Sequence, residues 1–425
     1  MKEALARSAY TLLLRAAMPL YFARLWWRGR REPAYRQFWG ERLGFDAGPV
    51  APGRLWLHAV SLGETHAAAP LIAALRAQRP GLSLLLTHGT ATGREAGAKL
   101  LREGDAQAWL PYDTPGAVHR FLRTHRPAAG ALMETEVWPV LLAAAQAAAV
   151  PLVLANARLS ARSAAKGQRL RWLLHPALAR FTRVLAQTEA DAQRLREAGA
   201  RGVAVMGNLK FDLAPDEQLL LRGRDWRREL ARPVVLAAST REGEEAPLLR
   251  AWSRLPAPRP LLLLVPRHPQ RFDEVAALVS AAGFKLQRRS SWGGPPPIDA
   301  AAADVWLGDS LGEMALYYAA ADVALLGGSF APLGGQNLIE AAACGCPLLM
   351  GPHTFNFALA AELALAAGAA ERVADVDTAV PRAAALAGDT ATTARMAARA
   401  QDFAAQHRGA AERMAQAVLA LLPAA

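Results

Sequence analysis

The chain has 425 residues, of which 52% are hydrophobic and 20% are charged. This length predicts two domains, and this composition excludes extended disorder. Lys and Arg outnumber Asp and Glu by 49 to 37, for a formal net charge of +12, which favours an anionic partner such as an acidic membrane surface or a phosphorylated substrate. The basic residues are dispersed, without a basic zipper or an aromatic RNA-binding pattern, and this argues against nucleic acid as a partner.

The segment from residue 1 to residue 45 is predicted to associate with a membrane. Its apolar stretch from Tyr10 to Trp27 carries Arg15 and Arg24, and its longest uncharged run is only 8 residues, whereas a spanning helix needs roughly 20. No small-residue cleavage site of a secretory signal follows. The arginines and the sequence WWRGRR are typical of an interfacial helix that faces anionic lipid. A poor spanning helix and a soluble amphipathic core helix are the alternatives.

Short apolar runs alternate with helical stretches after Gly53, and this alternation predicts an α/β fold with two doubly wound parallel sheets. The predicted strands are Leu55–Val60, Leu82–Thr87, Ala129–Met133, Pro151–Leu154, Arg183–Ala186, Pro233–Ala238, Leu261–Val265, Val305–Leu307, Val323–Leu326 and Pro347–Met350. The start of the polar stretch 208–232 is interpreted as a linker. We therefore predict domains over residues 46–212 and 213–400 that face a central cleft, and a helical tail over 401–425.

The first motif is HAVSLGETHAAAP, residues 58 to 70, which follows a predicted strand and opens a helix. Ser61, Gly63 and Glu64 therefore belong to a turn at the carboxyl edge of the sheet, where open α/β sheets bind their ligands. A carboxylate at this turn can serve as general base for a hydroxyl acceptor. The alternative is that Glu64 only complements the dipole of the helix in its first turn.

The second motif is METEVWP, residues 133 to 139, which places Glu134 and Glu136 directly after a buried strand. Two carboxylates this close raise each other's proton affinity, so one of them can act as a base or bind a hydroxylated ligand. The alternative is a helix start with acidic residues in its first turn.

The sequence ANARLSARS, residues 155 to 163, follows the next strand. Its basic and hydroxyl side chains lie at the same predicted sheet edge and suit an anionic, hydroxyl-rich acceptor. They are Asn156, Arg158, Ser160, Arg162 and Ser163.

In the second half, AASTREGEE and VPRHPQRF each follow an apolar strand, so Ser239, Thr240, Arg267 and His268 are predicted at one sheet edge. An arginine there can hold a phosphate with two hydrogen bonds. His268 is interpreted as a hydrogen-bonding neighbour, because no second His or Cys stands at metal-ligand spacing. The two cysteines, two residues apart with no partner pair, argue against a disulfide framework and a four-cysteine zinc site, and a reducing cytoplasm is the simpler compartment.

The most specific signal is GGSFAPLGGQNLIEAAACGCPLLMGP, residues 327 to 352, in which a strand, a glycine-rich loop, a helix and another strand follow each other. Such a loop lets a phosphate approach backbone N–H groups at a helix start. Its candidate donor-binding residues are Gly334, Gly335, Gln336, Asn337 and Glu340, and the preceding GDSLGEM sequence adds Gly308, Ser310, Gly312 and Glu313. The alternative is a structural turn with a capping Asn and an ordinary helical Glu.

Taken in order, these motifs resemble those of the bacterial 3-deoxy-D-manno-octulosonic acid (Kdo) transferases. The resemblance runs through WWRGRREPAYRQFWGERLG, HAVSLGE, METEVWP, ANARLSARS, QTEADAQRL, GNLKFD, VPRHPQRF, GDSLGEM and GGQNLIEAAACGCP, and so covers nearly the whole chain. It implies an inverting, nucleotide-sugar-dependent glycosyltransferase of the GT-B type with two Rossmann-like domains. The glycine-rich motif alone would indicate only a GT-B enzyme.

The resemblance also implies roles for the candidate residues. Glu64 becomes the general base, the acceptor lies near Glu134, Glu136 and residues 156–163, and the C-terminal candidates surround the donor. The implied donor is CMP-Kdo and the implied acceptor is a lipid A precursor at the cytoplasmic face of the inner membrane, with no metal and no cofactor. The competing predictions are a GT-B enzyme that uses a UDP-sugar, as a transferase or an epimerase, and a two-lobed α/β binding protein.

Overall fold

The computed structural model describes residues 2–45 and 51–423. The chain forms two compact units. The first consists of two segments, one that ends at Leu213 and one that starts at Arg408, and the second is Ala214–His407. The predicted start of the first domain at residue 46 lies outside the described residues.

The first unit contains a parallel seven-stranded sheet with the strand order β3-β2-β1-β4-β5-β6-β7. Its inner strands are Leu- and Val-rich and buried along their length, as expected for a parallel sheet covered on both faces. The strands are β1 Leu55–His58, β2 Leu84–His88, β3 Ala106–Trp109, β4 Ala129–Met133, β5 Leu152–Ala157, β6 Arg183–Ala186 and β7 Val203–Val205.

Helices cover both faces of this sheet, and each face has its own apolar cluster. The helices are α1 Lys2–Arg28, α2 Trp39–Arg42, α3 Leu62–Gln78, α4 Ala91–Ala98, α5 Pro115–His125, α6 Pro139–Ala147, α7 Ala161–Gly167, α8 Arg171–Leu178 and α9 Glu189–Glu197.

Helix α1 packs on the first unit along one side only. On the inner side, the Tyr10 hydroxyl donates to the buried carboxyl of Asp113, and Leu25 is buried. On the outer side, Leu12, Leu13 and Leu20 are 70–75% exposed. In the described part of the chain, no helix has the length and apolar character needed to cross a membrane.

The second unit repeats the architecture, with a parallel seven-stranded sheet in the order β10-β11-β9-β8-β12-β13-β14. Its elements in chain order are α10 Glu217–Glu229, β8 Val234–Thr240, α11 Glu245–Ser253, β9 Leu261–Pro266, α12 Phe272–Ala281, β10 Leu286–Arg288, β11 Val305–Leu307, α13 Met314–Ala319, β12 Val323–Leu326, α14 Leu338–Ala343, β13 Leu348–Met350, α15 Ala358–Ala366, β14 Ala370–Arg372, α16 Val376–Gly388 and α17 Thr390–Gln406.

The C-terminal segment divides differently from the tail predicted over 401–425. Helix α17 runs without interruption through residue 401 and packs on α14, so the second unit extends to His407. The last helix, α18 Ala410–Leu419, packs on α3 of the first unit. Its start is fixed by Asp212, which accepts from the backbone N–H groups of Gly409 and Ala411.

All ten predicted strands are present, and the structure adds β3, β7, β10 and β14. These four additional strands are the edges of the two sheets. An edge strand has only one neighbour and is less completely buried, so its sequence need not form a continuous apolar run. The sequences AQAW, LQR and AER contain polar residues, and VAV is only three residues long, so none of them forms that pattern.

Candidate active site

The acceptor-side candidates meet at the carboxyl edge of the first sheet. Strand β4 lies between β1 and β5, with His58 paired in register with Leu132 and Met133 paired with Ala155. Glu64 follows β1, and Glu134 and Glu136 follow β4. The segment that begins with Asn156 starts at the end of β5. The sheet order thus gathers all three predicted motifs at one edge.

Glu64 is held at the start of α3 by hydrogen bonds to both carboxylate oxygens. Oε2 accepts from the Val60 N–H at 2.8 Å, and Oε1 accepts from the Ser61 hydroxyl at 3.2 Å. Burial raises the pKa of Glu64 to about 7, the charges of Glu136 and Glu134 add to this, and the two hydrogen bonds oppose it. The neighbouring Gly63 is exposed, and a Cβ there would meet the Ser61 hydroxyl oxygen at 4.0 Å, an ordinary contact.

Glu134 and Glu136 follow β4 in an unusual backbone conformation. Glu134 has φ +57°, and its N–H donates to the carbonyl oxygen of Ala155 at 2.9 Å. Oε2 of Glu136 accepts from the indole N–H of Trp138 at 2.8 Å. Non-glycine residues with positive φ are strained and concentrate at functional sites. The helix start that sequence reasoning left open occurs three residues later, at Pro139.

The residues from 156 to 163 have different surroundings. Asn156 is fully buried at φ +52°, and its Oδ1 accepts from the Leu209 N–H at 3.1 Å, so this side chain supports the loop below the edge. Ser160 caps α7 by accepting from the Ser163 N–H at 3.1 Å. The side chains that are partly or fully exposed are Arg158, Ser160, Arg162 and Ser163.

The donor-side candidates meet at the carboxyl edge of the second sheet. Ser239 has φ +56° at the end of β8, where a Cβ on Gly327 would meet the Ser239 carbonyl oxygen at 2.4 Å. The Thr240 hydroxyl is buried and donates to Oε1 of Glu245 at 2.8 Å. Ser239 is half-buried at this edge. The Thr240 hydroxyl, in contrast, is used in a hydrogen bond inside the unit.

The charges of Arg267 and Glu340 interact at this edge. Burial raises the pKa of Glu340, and the charge of Arg267 acts in the opposite direction. The Arg267 side chain is exposed, and its backbone N–H donates to the Thr240 carbonyl oxygen at 2.9 Å. The pKa of the exposed His268 is lowered by its partial burial and by neighbouring arginines. A neutral imidazole beside arginines fits a hydrogen-bonding role.

The GDSLGEM turn is a network of side chains. Glu313 accepts from Arg289 at 2.8 Å and from the Ser310 hydroxyl at 2.5 Å. Gly308 is required by close packing, because a Cβ there would lie 2.6 Å from Val265. Gly312 has φ +80°, a conformation that favours glycine.

The GGQN turn holds its backbone by two hydrogen bonds across the loop. The N–H groups of Gly335 and Gln336 donate to the carbonyl oxygens of Gly328 and Gly327, at 2.7 and 3.1 Å. Gly334 and Gly335 have φ of +91° and +76°. Asn337 caps α14 by accepting from the Ile339 N–H at 3.2 Å, so the capping role weighed from the sequence is present.

A family model described as 3-Deoxy-D-manno-octulosonic-acid transferase (kdotransferase) matches residues 37–213. The 3-deoxy-D-manno-octulosonic acid transferase of Bordetella pertussis is 50% identical over 97% of this chain and 99% of its own length. The chain belongs to this family. The Kdo transferase of Haemophilus influenzae is 36% identical over 83% of each chain. The resemblance indicated by the ordered motifs is confirmed, and with it the transferase activity.

A solved structure supports the fold of this Kdo transferase. Anabaena Alr3699/HepE in complex with UDP aligns with 87% of this chain and 100% of its own, with a TM-score of 0.61 and 17% identity. At that identity the likeness concerns the fold alone. The fold is GT-B-like, with two parallel seven-stranded α/β sheets.

Sequence reasoning missed Glu244 as a residue that shapes the glycine-rich loop at the carboxyl edge of the second sheet. Its buried carboxylate accepts from the backbone N–H groups of Gly328 at 2.8 Å and of Phe330 and Ala331 at 3.3 Å. The glycine-rich loop is therefore tied to the turn after β8 by one side chain. The only sequence signal was a run of acidic residues in TREGEE, which a solvent-exposed turn would also produce.

Proposed function

We propose that this enzyme transfers Kdo from CMP-Kdo to a hydroxyl group of a lipid A precursor, with Glu64 as general base and inversion at the anomeric carbon. The observation that best supports this proposal is the half-buried Glu64 carboxylate at the sheet edge, whose pKa is raised to about 7. A base whose pKa is near the working pH is deprotonated in much of the enzyme and still has enough proton affinity to take up the hydroxyl proton. Glu64 removes the hydroxyl proton as CMP departs.

The acceptor side supports a phosphorylated, hydroxyl-rich ligand. Arg158 and Arg162 offer cations beside the hydroxyl groups of Ser160 and Ser163. The strained backbone at Glu134 keeps its carboxylate close enough to act on the charge of Glu64. We assign acceptor binding to these residues together with Ser61, Gly63 and Glu136, and we assign Asn156 to the support of the edge.

The donor side supports a nucleotide with a phosphate. The exposed Arg267 guanidinium can hold the CMP phosphate and stabilise the charge that develops as it departs. The half-buried Glu340 carboxylate offers acceptors for ribose hydroxyl groups. The turn of Gly334, Gly335 and Gln336, together with Ser239 and the Gly308–Glu313 turn, completes the assignment.

The outer side of α1 supports attachment to an anionic membrane surface. Leu12, Leu13 and Leu20 form an exposed apolar stripe, while Tyr10 and Leu25 fix the opposite side of the helix to the unit. A groove of about 660 Å³ beside it is lined by residues that include Arg7, Arg15 and His119. Apolar and basic side chains together are typical of helices that lie in the interface of an anionic bilayer. We place the enzyme at the cytoplasmic face of the inner membrane.

The deciding experiment incubates the full-length chain with CMP-Kdo and a lipid A precursor and follows CMP release and product mass. We expect stoichiometric release of CMP and a product heavier by one or more Kdo units. Parallel reactions with UDP-sugars test the other GT-B activities. Turnover of a UDP-sugar without turnover of CMP-Kdo, or CMP-Kdo binding without CMP release, would contradict the proposal.

A further inference from the structure

His58, the last residue of β1, lies beside the acceptor edge. Its side chain is 0% exposed. Nδ1 lies 2.9 Å from the hydroxyl oxygen of Thr87 and 3.0 Å from the Thr87 carbonyl oxygen. Nε2 lies 3.7 Å from Oε2 of Glu136 and has no hydrogen-bond partner among the described residues. The ring thus connects the interior of the sheet to one of the site carboxylates.

A chain of donors fixes which nitrogen of His58 carries the proton. The Trp56 indole can only donate, and it donates to the Thr87 hydroxyl oxygen at 2.8 Å. The Thr87 carbonyl oxygen, 3.0 Å from Nδ1, already accepts from the Ala59 N–H at 3.0 Å. The Thr87 hydroxyl can then donate to Nδ1 of His58, which leaves the proton of a neutral imidazole on Nε2. In the other tautomer, a nitrogen lone pair would face a carboxylate oxygen with no proton between them.

We propose that His58 is a positioning residue that directs its Nε2 proton at Glu136 and holds this carboxylate beside Glu64. At 3.7 Å the contact is electrostatic, since it is longer than a hydrogen bond. Glu136 already accepts a hydrogen bond from the Trp138 indole, and His58 adds a longer electrostatic contact to the same carboxylate. An ionised Glu136 raises the proton affinity of Glu64, because like charges oppose each other. His58 thus acts on the base through Glu136, and this role rests on the proposed function of Glu64.

The other titratable groups around His58 fit this arrangement. Glu134 acts on Glu64 in the same direction as Glu136. Burial lowers the pKa of His88 on β2 to about 4, and the charge of Arg94 adds to this. His88 is therefore neutral at the working pH of the enzyme. The proton affinity of Glu64 is then raised by its burial and by the two carboxylates, and it is lowered by the hydrogen bonds from Val60 and Ser61.

Two substitutions test the roles of the two ring nitrogens of His58 separately. The short amide of H58N can replace Nδ1 but cannot reach Glu136, whereas the longer amide of H58Q places an N–H near the position of Nε2. We expect H58N to move the acidic limb of the pH profile of kcat/KM to lower pH by about half a unit or more, because Glu136 is no longer held beside Glu64 and repels it less. H58Q should restore the wild-type midpoint. In an E136Q background, H58N should cause no further shift.

An unchanged midpoint in H58N, equal midpoints in H58N and H58Q, or an additional shift in the double variant would overturn the proposal. Nitrogen-15 NMR of the histidine rings in the unmodified enzyme gives a second readout that needs no turnover. We expect the His58 ring to be protonated at Nε2 and unprotonated at Nδ1, with a change in the Nε2 signal in E136Q. A ring protonated at Nδ1 alone would overturn the proposal even where Glu64 proves not to be the base.

Discussion

Two hydrogen bonds join Ser61 to Glu64. Oγ of Ser61 accepts from the backbone N–H of Glu64 at 3.4 Å and donates to Oε1 of its carboxylate at 3.2 Å. The arrangement resembles a capping box, in which the first and fourth residues of a helix start satisfy each other. The two interpretations of Glu64 from the sequence, helix start and general base, therefore concern one carboxylate that can serve both roles.

Replacing Glu64 by Gln should abolish transfer and leave the fold intact. Gln can also occupy this capping position, but it cannot accept the hydroxyl proton. We expect transfer to fall by roughly 100-fold to 10,000-fold, with unchanged CMP affinity and unchanged thermal unfolding. Glu64→Ala is the matched comparison, because it should lose transfer and also about 1 kcal/mol of stability with the cap. Turnover near the wild-type rate in Glu64→Gln would reassign the base, with Glu134 and Glu136 as the next candidates.

The activity should depend on pH through Glu64. Because its pKa is raised to about 7, the carboxyl is protonated below that pH, and kcat/KM should fall tenfold for each pH unit on the acidic side. Glu136→Gln removes one of the negative charges that raise this pKa, so the acidic limb should move to lower pH. The measurement is the pH profile of kcat/KM for both proteins, and a limb that moves to higher pH would contradict the electrostatic account.

Arg267 and Glu340 should control the affinity for the nucleotide. We expect Arg267→Ala to weaken CMP binding by roughly tenfold or more, since a hydrogen bond to a charged group is worth about 1.5–3 kcal/mol. Glu340→Gln should weaken it less, because the ribose hydroxyl groups are neutral. Arg254→Ala is the control, since this arginine of the same unit is 70% exposed and pairs with Asp377 on the surface. Calorimetry with CMP separates these expectations, and wild-type affinity in both site variants would remove the donor assignment.

Membrane attachment should depend on the outer side of α1. Replacing Leu12, Leu13 and Leu20 together by Glu keeps the inner side of the helix, and with it the bond between Tyr10 and Asp113. We expect vesicle flotation with anionic lipid to be lost, because burial of each leucine contributes about 1.5–3 kcal/mol. Ile298→Glu is the control, because this residue is 99% exposed in the second unit. Flotation of the triple variant at the wild-type level would exclude attachment through α1.

Glu244 should hold the donor loop in shape. Glu244→Ala leaves the N–H groups of Gly328, Phe330 and Ala331 without their acceptor, and a buried donor without a partner costs about 1–3 kcal/mol. We expect a lower melting temperature together with weaker CMP binding. A variant that loses neither stability nor affinity would show that the loop is held by its own backbone hydrogen bonds.

The strands that are buried on both sides of a sheet could be predicted from the sequence. The ten inner strands form continuous apolar runs, and polar motifs after β1, β4 and β5 follow from the alternation of strands and helices. The edge strands could not be predicted, because AQAW or LQR has no distinctive pattern without its neighbour. The end of α17 was also missed, since an alanine-rich run does not mark where one unit stops.

The candidate site was predictable as a set of positions and less so as a set of contacts. The turn residues Ser61 and Glu64 adjoin as expected, but Asn156 and Thr240 use their polar groups inside the protein. The positive φ at Glu134 and Ser239 has no sequence signature, because residues other than Gly, Asn and Asp seldom adopt it. The partnership of His58 with Glu136 joins residues 78 positions apart and depends on the register of β1 and β4.

The return of the C-terminal segment to the first unit also bears on how the protein is made. Residues 2–213 leave the ribosome before the second unit, yet α18, which covers α3, emerges after it. The second unit is continuous in sequence and can be completed earlier, although domains usually fold in order from the N-terminus. We therefore expect the first unit to finish folding after the second. A nascent chain released before residue 408 would present the bare apolar side of α3 to chaperones.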